Sequence, residues 1–211
     1  MTTPKGAKVP VKTVVDYAPD WSSYTSTVEL SVDKGKTWKH WWKEKGKKVG
    51  QQVTPPHATR QDFEEFCKLQ SGRWVCDITW ASDWTGFGKK GDKVTAYAQW
   101  TLGQDGNALV GQFYGGNGSD TRLVSYDAGA KQIRGRLVDS AGYMEDAVIY
   151  KQGDHWIIMG VGSEADGAKL EFHITLRFSD HNNTSTYEGT VRKGNEVINI
   201  PGDVWRRVSK Y

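Results

Sequence analysis

The chain has few of the residues that announce the common catalytic and membrane classes. It has two cysteines, Cys67 and Cys76, in 211 residues. That is too few for a disulfide framework, and no histidine stands at ligand spacing beside them to complete a zinc site. They read as two free, buried thiols, with a single bridge between them as the alternative. No run approaches the roughly 20 apolar residues of a membrane-spanning helix. The opening MTTPKGAKVP has no apolar core of a signal peptide, which favours the cytoplasm. G-x-S-x-G, H-E-x-x-H, C-x-x-C and the P-loop are all missing. GGNGSD (115–120) is Gly-rich but joins two strand-like runs, with no helix N-terminus behind it to hold phosphate. No metal and no cofactor is expected.

Charge is present but uneven. Residues 1–60 carry 11 Lys and Arg against 5 acids, whereas residues 61–211 carry 17 against 20. The excess is concentrated in KGKTWKHWWKEKGKK, residues 34–48. Lysines interleaved with tryptophans suit a polyanion such as a nucleic acid, through phosphate contacts and stacking. The same lysines also discourage edge-to-edge pairing of an exposed strand.

Within this zone SVDKGKTW (31–38) fits S-x-D-x-G-x-T-W, the Asp box of sialidases and other β-propellers. A propeller needs the unit repeated at roughly 40 to 50 residues, and no second copy exists. The residues make a turn instead. Asp33 can bond backbone amides just ahead of it, and Gly35 tolerates positive φ. No pair of carboxylates for glycoside hydrolysis accompanies them. The expectation is a structural hairpin over 24–49, with Trp38, His40 and Trp42 on one face of its second arm. A short strand is expected over Val9–Val15. QQVTPPHA (51–58) reads as a linker, because prolines exclude helix interiors and central strands. Residues 1–58 thus form a basic extension and linker, and residues 59–211 a separate domain.

Thr59 opens the one convincing helix, with Asp62 and Glu64 in its first turns and Phe63, Phe66 and Cys67 as an apolar stripe. Gln70-Ser71-Gly72 stops it. After Gly72, turn clusters recur at intervals of roughly 9 to 14 residues. They separate alternating runs at 74–80, 93–102, 108–114, 121–126, 132–138, 144–151, 155–161, 169–178, 184–192 and 203–208. About ten strands joined by short turns predict an all-β, antiparallel up-and-down meander, and closure into a barrel removes its two edges. The clearest alternation is KLEFHITLRF, with Leu170, Phe172, Ile174, Leu176 and Phe178 inward and His173 outward.

Gly72-Arg73-Trp74 gives G-x-W just after a helix and at the head of the first barrel strand. The chain ends in GDVWRRVSK, with Arg206 and Arg207. Asp139-Ser140-Ala141-Gly142 and Gly153-Asp154-His155-Trp156 supply a D-S-x-G hairpin and a GD-x-W turn. Together these resemble the lipocalin and calycin pattern, and in particular the DUF1579-like bacterial lipocalin-like proteins, over residues 60–210. The resemblance implies a barrel with an interior cavity, closed at its base by the first-strand Trp beneath an Arg of the last strand. It implies no particular reaction.

The expected function is binding of a small, largely apolar or aromatic molecule inside the barrel. Trp80, Trp100, Phe113, Tyr150, Phe172 and Tyr187 fall on rows that point inward and would line the site. Trp100 shares its row with Ala96 and Ala98, small residues that leave room beside it. An alternative is an enzyme using the cavity for hydrolysis, isomerisation or cyclisation. Its acid–base candidates are Asp139, in a row with Ile133, Gly135 and Leu137, and Asp146, in a row with Met144, Val148 and Tyr150. Glu145 replaces Asp146 if the register slips by one residue, and His173 is a further candidate. A third reading is polyanion binding through residues 34–48. Oligomeric state is left open by the sequence.

Overall fold

The basic N-terminal segment forms a three-stranded antiparallel sheet. Its strands are β1 (Val11–Tyr17), β2 (Ser23–Leu30) and β3 (Lys39–Lys47), with β2 in the centre. The expected hairpin is therefore the β2–β3 pair, joined by β1 as a third strand. The computed structural model describes residues 8–17, 23–47 and 56–209, and the chain divides into two units, residues 1–53 and 54–211. Residues 1–7 and residues 51–55 of the expected linker lie outside the described residues.

Between β2 and β3 the Asp-box residues build a turn from their own side chains. Asp33 accepts from the Thr37 amide at 2.8 Å, from the Thr37 hydroxyl, and from the Ser31 hydroxyl at 2.7 Å. The Gly35 amide donates to Ser31 Oγ at 2.6 Å, and Gly35 has φ 94°, a conformation that favours glycine. One expectation fails here. Val28 pairs with Trp42 while Glu29 pairs with His40, so a β-bulge at Trp41 shifts the register. The extra residue sends Trp42 to the face opposite His40.

In the larger unit the alternation dictates the architecture. Ten strands follow: β4 (Gly72–Thr79), β5 (Lys93–Gly103), β6 (Ala108–Gly115), β7 (Gly118–Asp127), β8 (Gln132–Asp139), β9 (Met144–Gln152), β10 (His155–Ser163), β11 (Lys169–Ser179), β12 (Thr184–Lys193) and β13 (Glu196–Ser209). Each pairs antiparallel with its sequence neighbour, and β13 returns to β4 to close a ten-stranded barrel. Closure leaves no unpaired edge. The last strand is longer than the expected 203–208, because it runs through Pro201-Gly202. Tyr187 pairs with Asp203 and Glu188 with Pro201, so Gly202, at φ 103°, is the extra residue of a bulge.

The helix α1 (Arg60–Gln70) seals one end. Thr59 Oγ1 accepts from the Asp62 amide at 3.1 Å, and Asp62 Oδ2 accepts from the Thr59 amide at 2.7 Å, a reciprocal cap. Phe63, Phe66, Cys67 and Gln70 are buried, with Phe66 edge-on to Trp156 at 5.1 Å. Cys67 and Cys76 are free and buried, and burial pushes both thiols up to about 12.

Trp74 and Arg207 pin the helix to the seam where the barrel closes. They are register partners across β4 and β13. The Arg207 guanidinium lies 4.1 Å from the centre of the Trp74 ring. It donates to the carbonyls of Ser71 and, at 2.7 Å, Leu69. Trp74 Nε1 donates to the Gln70 carbonyl at 2.9 Å. A cation placed on the last carbonyls of a helix satisfies them and complements the helix dipole. Arg206, the other candidate, faces outward beside Asp77.

Two outcomes test this reading of the fold. Trp74 is 2% exposed, so Trp74→Ala should cost about 3 to 5 kcal/mol, read as a lower urea midpoint; an unchanged midpoint would contradict the closure. In the turn, hydrogen bonds from the Thr37 hydroxyl and amide hold the Asp33 carboxyl down to about 2, against an ordinary 3.8. Its contribution is complete above pH 3.8 and lost as pH falls through about 2. The Thr37 amide resonance should therefore titrate near pH 2, and a midpoint near 3.8 would show that the carboxylate is not held.

Candidate functional site

The barrel encloses two adjoining chambers. The outer one, about 440 Å³, lies at the end away from α1, under the turns that carry Trp84, Ala141 and Ala165. The inner one, about 210 Å³, reaches towards α1 and is lined by Gln70, Trp74, Trp100, Asp203 and Trp205 among others. Trp80, Phe113, Arg122, Ile174, Tyr187 and Ile200 border both.

Of the aromatic residues expected inward, the structure places Phe172 on the outer chamber, Trp100 on the inner, and Trp80, Phe113 and Tyr187 on both. Gly111 lets Trp100 lie flat across the neighbouring strand, since a Cβ there would come within 2.5 Å of the ring. Ala96 is fully buried, while Ala98 borders the inner chamber. Tyr150 is a correction. It pairs with Ile157 on the outward row of β9 and β10, its hydroxyl 3.8 Å from Met159 Sδ.

The same correction applies to Asp146. Leu137 pairs with Glu145 and Gly135 with Ala147, so the inward row of β9 is Glu145, Ala147 and Ile149. Asp146 faces outward, where it pairs with Arg136 at 2.7 Å. A shift of one residue exchanges the two faces of a strand, and both rows of β9 are apolar enough to pass for the inner one. Asp139 does reach the rim of the outer chamber, but as a turn-former. Its Oδ1 accepts the amides of Ala141 at 2.8 Å and Tyr143 at 2.9 Å. No Asp139–Asp146 dyad forms. His173 is exposed, opposite Met159 and Thr190.

At the centre stands a polar group that the sequence reading passed over. Arg122 borders both chambers and a third void of about 40 Å³. It grips Asp120 with two hydrogen bonds, Nε to Oδ1 at 2.8 Å and Nη2 to Oδ2 at 2.7 Å. Its side chain is 32% open, and the opening is onto the cavities it lines. Burial disfavours the Arg122 charge, but the Asp120 carboxylate outweighs this and leaves the guanidinium more firmly protonated than usual. The guanidinium also lies 5.7 Å from the Phe113 ring centre and 6.0 Å from that of Trp100. The signal was present in the sequence: Arg122 shares its alternating row with Val124 and Tyr126.

Glu145 projects into the same space. It accepts from the Tyr143 hydroxyl at 3.0 Å, which fits because Gly162 has no Cβ to meet that hydroxyl. Burial raises the Glu145 carboxyl above its ordinary 4.5, against the opposing pull of Arg122 and Tyr143. Burial, then the neighbouring Glu145, raises the Tyr143 hydroxyl as well. Deeper in, Gln70 Nε2 donates to the Tyr187 hydroxyl at 2.8 Å, and burial lifts that hydroxyl to about 12. Gln70 Oε1 and Trp80 Nε1 are buried and find no partner among the described residues.

Among the described residues no cluster of His, Cys, Asp and Glu is arranged to hold a metal ion, and no helix is long and apolar enough to cross a membrane. No family model matches the chain, and neither does any curated protein.

The raised Glu145 carboxyl has a consequence for stability. The folded state holds its proton more tightly than the unfolded chain does. Its stabilising effect is complete below pH 4.5 and is lost as pH rises through the folded-state value. Glu145→Gln removes the ionisation, so its unfolding midpoint relative to wild type should climb between pH 4 and pH 8. A difference that stays flat with pH would show the carboxyl to be unperturbed.

Proposed function

We propose that the protein binds a small, largely apolar or aromatic molecule inside its barrel, as the lipocalin-like resemblance of its sequence implies. The observation that carries this reading is the volume left inside the closed sheet. An outer chamber of about 440 Å³ adjoins an inner one of about 210 Å³, both walled by aromatic rings. Small-molecule sites of roughly 300 to 1,000 Å³ have this composition, a mainly apolar wall with few polar groups that fix orientation. Arg122, Glu145, Tyr143 and Gln70 supply those groups here.

Glu145 supports a second reading, acid–base catalysis in the same cavity. A carboxyl raised by burial beside a hydroxyl donor can exchange a proton with a bound substrate. The two readings separate on one variant: a catalytic Glu145 would lose turnover as Glu145→Gln while keeping binding, and a mere wall residue would not.

Binding itself is tested by filling the chamber. A library of ring-bearing compounds should contain members that raise the unfolding temperature of the wild type by mass action. Val191→Trp, placed on the wall of the outer chamber, should abolish that shift while leaving the circular dichroism of the barrel intact. A library that shifts neither protein, or shifts both equally, would overturn the interior site.

A further inference from the structure

The two chambers hold a surplus of negative groups. Asp120, Asp139, Glu145, Glu164, Asp166 and Asp203 line them, against the single guanidinium of Arg122. Arg122 is already engaged by Asp120 through both hydrogen bonds of a bidentate pair. An incoming carboxylate or phosphate would find no uncommitted cation and several like charges. Most of these acids have local partners: Asp139 and Asp166 accept turn amides, Glu164 holds Lys193 at 2.6 Å, and Glu145 takes the Tyr143 hydroxyl.

Asp203 is the exception. It faces inward on β13, paired with Tyr187, and lines the inner chamber. No donor among the described residues reaches its carboxylate. The neighbouring Arg206 points outward to Asp77 at 3.6 Å. Gln70 also borders the chamber, but its Oε1 is sealed within the protein and its Nε2 is used by Tyr187. Around the Asp203 carboxylate stand the rings of Trp74, Trp80, Trp100 and Phe113. A carboxylate inside a ring of aromatic faces recognises a cationic nitrogen, through charge-assisted hydrogen bonds and cation–π attraction.

We propose that the inner chamber is an ammonium subsite, in which Asp203 receives the protonated amine of a ligand whose apolar or aromatic body occupies the outer chamber. This rests on the interior-binding reading and specifies its ligand as a ring-bearing amine.

The subsite has a pH signature. Burial alone lifts the Asp203 carboxyl above its ordinary 3.8. An ammonium binds the ionised form, so affinity rises with pH as Asp203 gives up its proton and falls where the amine gives up its own. The groups facing Asp203 do not titrate in that window. Tyr187 from β12 and Cys76 from β4 are both pushed up to about 12, Gln70 of α1 is neutral, and Arg122 stays charged.

The test is calorimetric titration of the full chain and of Asp203→Asn with three probes of one shape: phenethylamine, 2-phenylethanol and phenylacetate. The wild type should bind the amine about tenfold or more tighter than the alcohol, a ratio set by one hydrogen bond to a charged group, and the carboxylate most weakly. Asp203→Asn should erase the amine's advantage while the alcohol binds as before, which also reports an intact barrel. Equal binding of amine and alcohol to the wild type, or an amine preference that survives Asp203→Asn, would overturn the ammonium subsite and leave interior binding standing. Failure of all three probes would overturn both.

Discussion

A sheet of ten strands closed on itself encloses more volume than its inward side chains fill, and the rest of the larger unit is arranged around that constraint. At one end the space is stoppered. Helix α1 lays Phe63, Phe66 and Cys67 inside, and Arg207 ties its last carbonyls to Trp74 at the closing seam. At the other end the turns approach one another, and the segment between β4 and β5 sets Phe87 against Trp80 and Phe113. Between them small residues such as Ala98, Gly135 and Ala147 leave the wall thin where bulkier ones would have packed the interior.

A hollow interior changes what its polar residues cost. A guanidinium buried in a packed core loses its hydration, and its removal or that of its partner typically costs 3 to 5 kcal/mol. Arg122 meets that cost with Asp120 and with the faces of Phe113 and Trp100, and its open side looks into the cavity. Glu145 and Asp203 are less well served, and burial raises both carboxyls. Groups held at such a disadvantage gain when a complementary ligand enters, which ties the stability of the barrel to ligand binding.

The sequence made the architecture legible because one face of each strand is buried. Alternation in KLEFHITLRF, the cap at Thr59 and the spacing of the Gly and Asp turn clusters all report local geometry directly. Three features were not legible. The row of β9 that faces inward could not be chosen, since Met144, Val148 and Tyr150 are as apolar as Ala147 and Ile149. Which row wins is set by how the Asp139–Tyr143 turn offsets the strands. The last strand was expected to begin only at 203, yet the bulge at Gly202 carries β13 through Pro201-Gly202. Trp42 was assigned the face of His40, because a bulge at Trp41 leaves no mark in the residue pattern. The central Arg122–Asp120 pair was visible only as a charge in an apolar row, a signal too small to weigh without the facing strands.

The tryptophans allow the central claim, an interior that admits a ligand, to be tested residue by residue. Ten indoles are spread over the chain. Trp74, Trp80, Trp84, Trp100 and Trp205 border the chambers, Trp156 packs against Phe66 and borders neither, and Trp38, Trp41 and Trp42 are exposed in the N-terminal unit. The direct measurement is the assigned indole N–H spectrum during titration with a ring-bearing ligand. A hollow, binding barrel predicts that the Trp80 and Trp100 signals move in saturable fashion, while Trp156 and the three exposed indoles stay in place. Signals that move only at Trp38, Trp41 and Trp42, or nowhere, would contradict it.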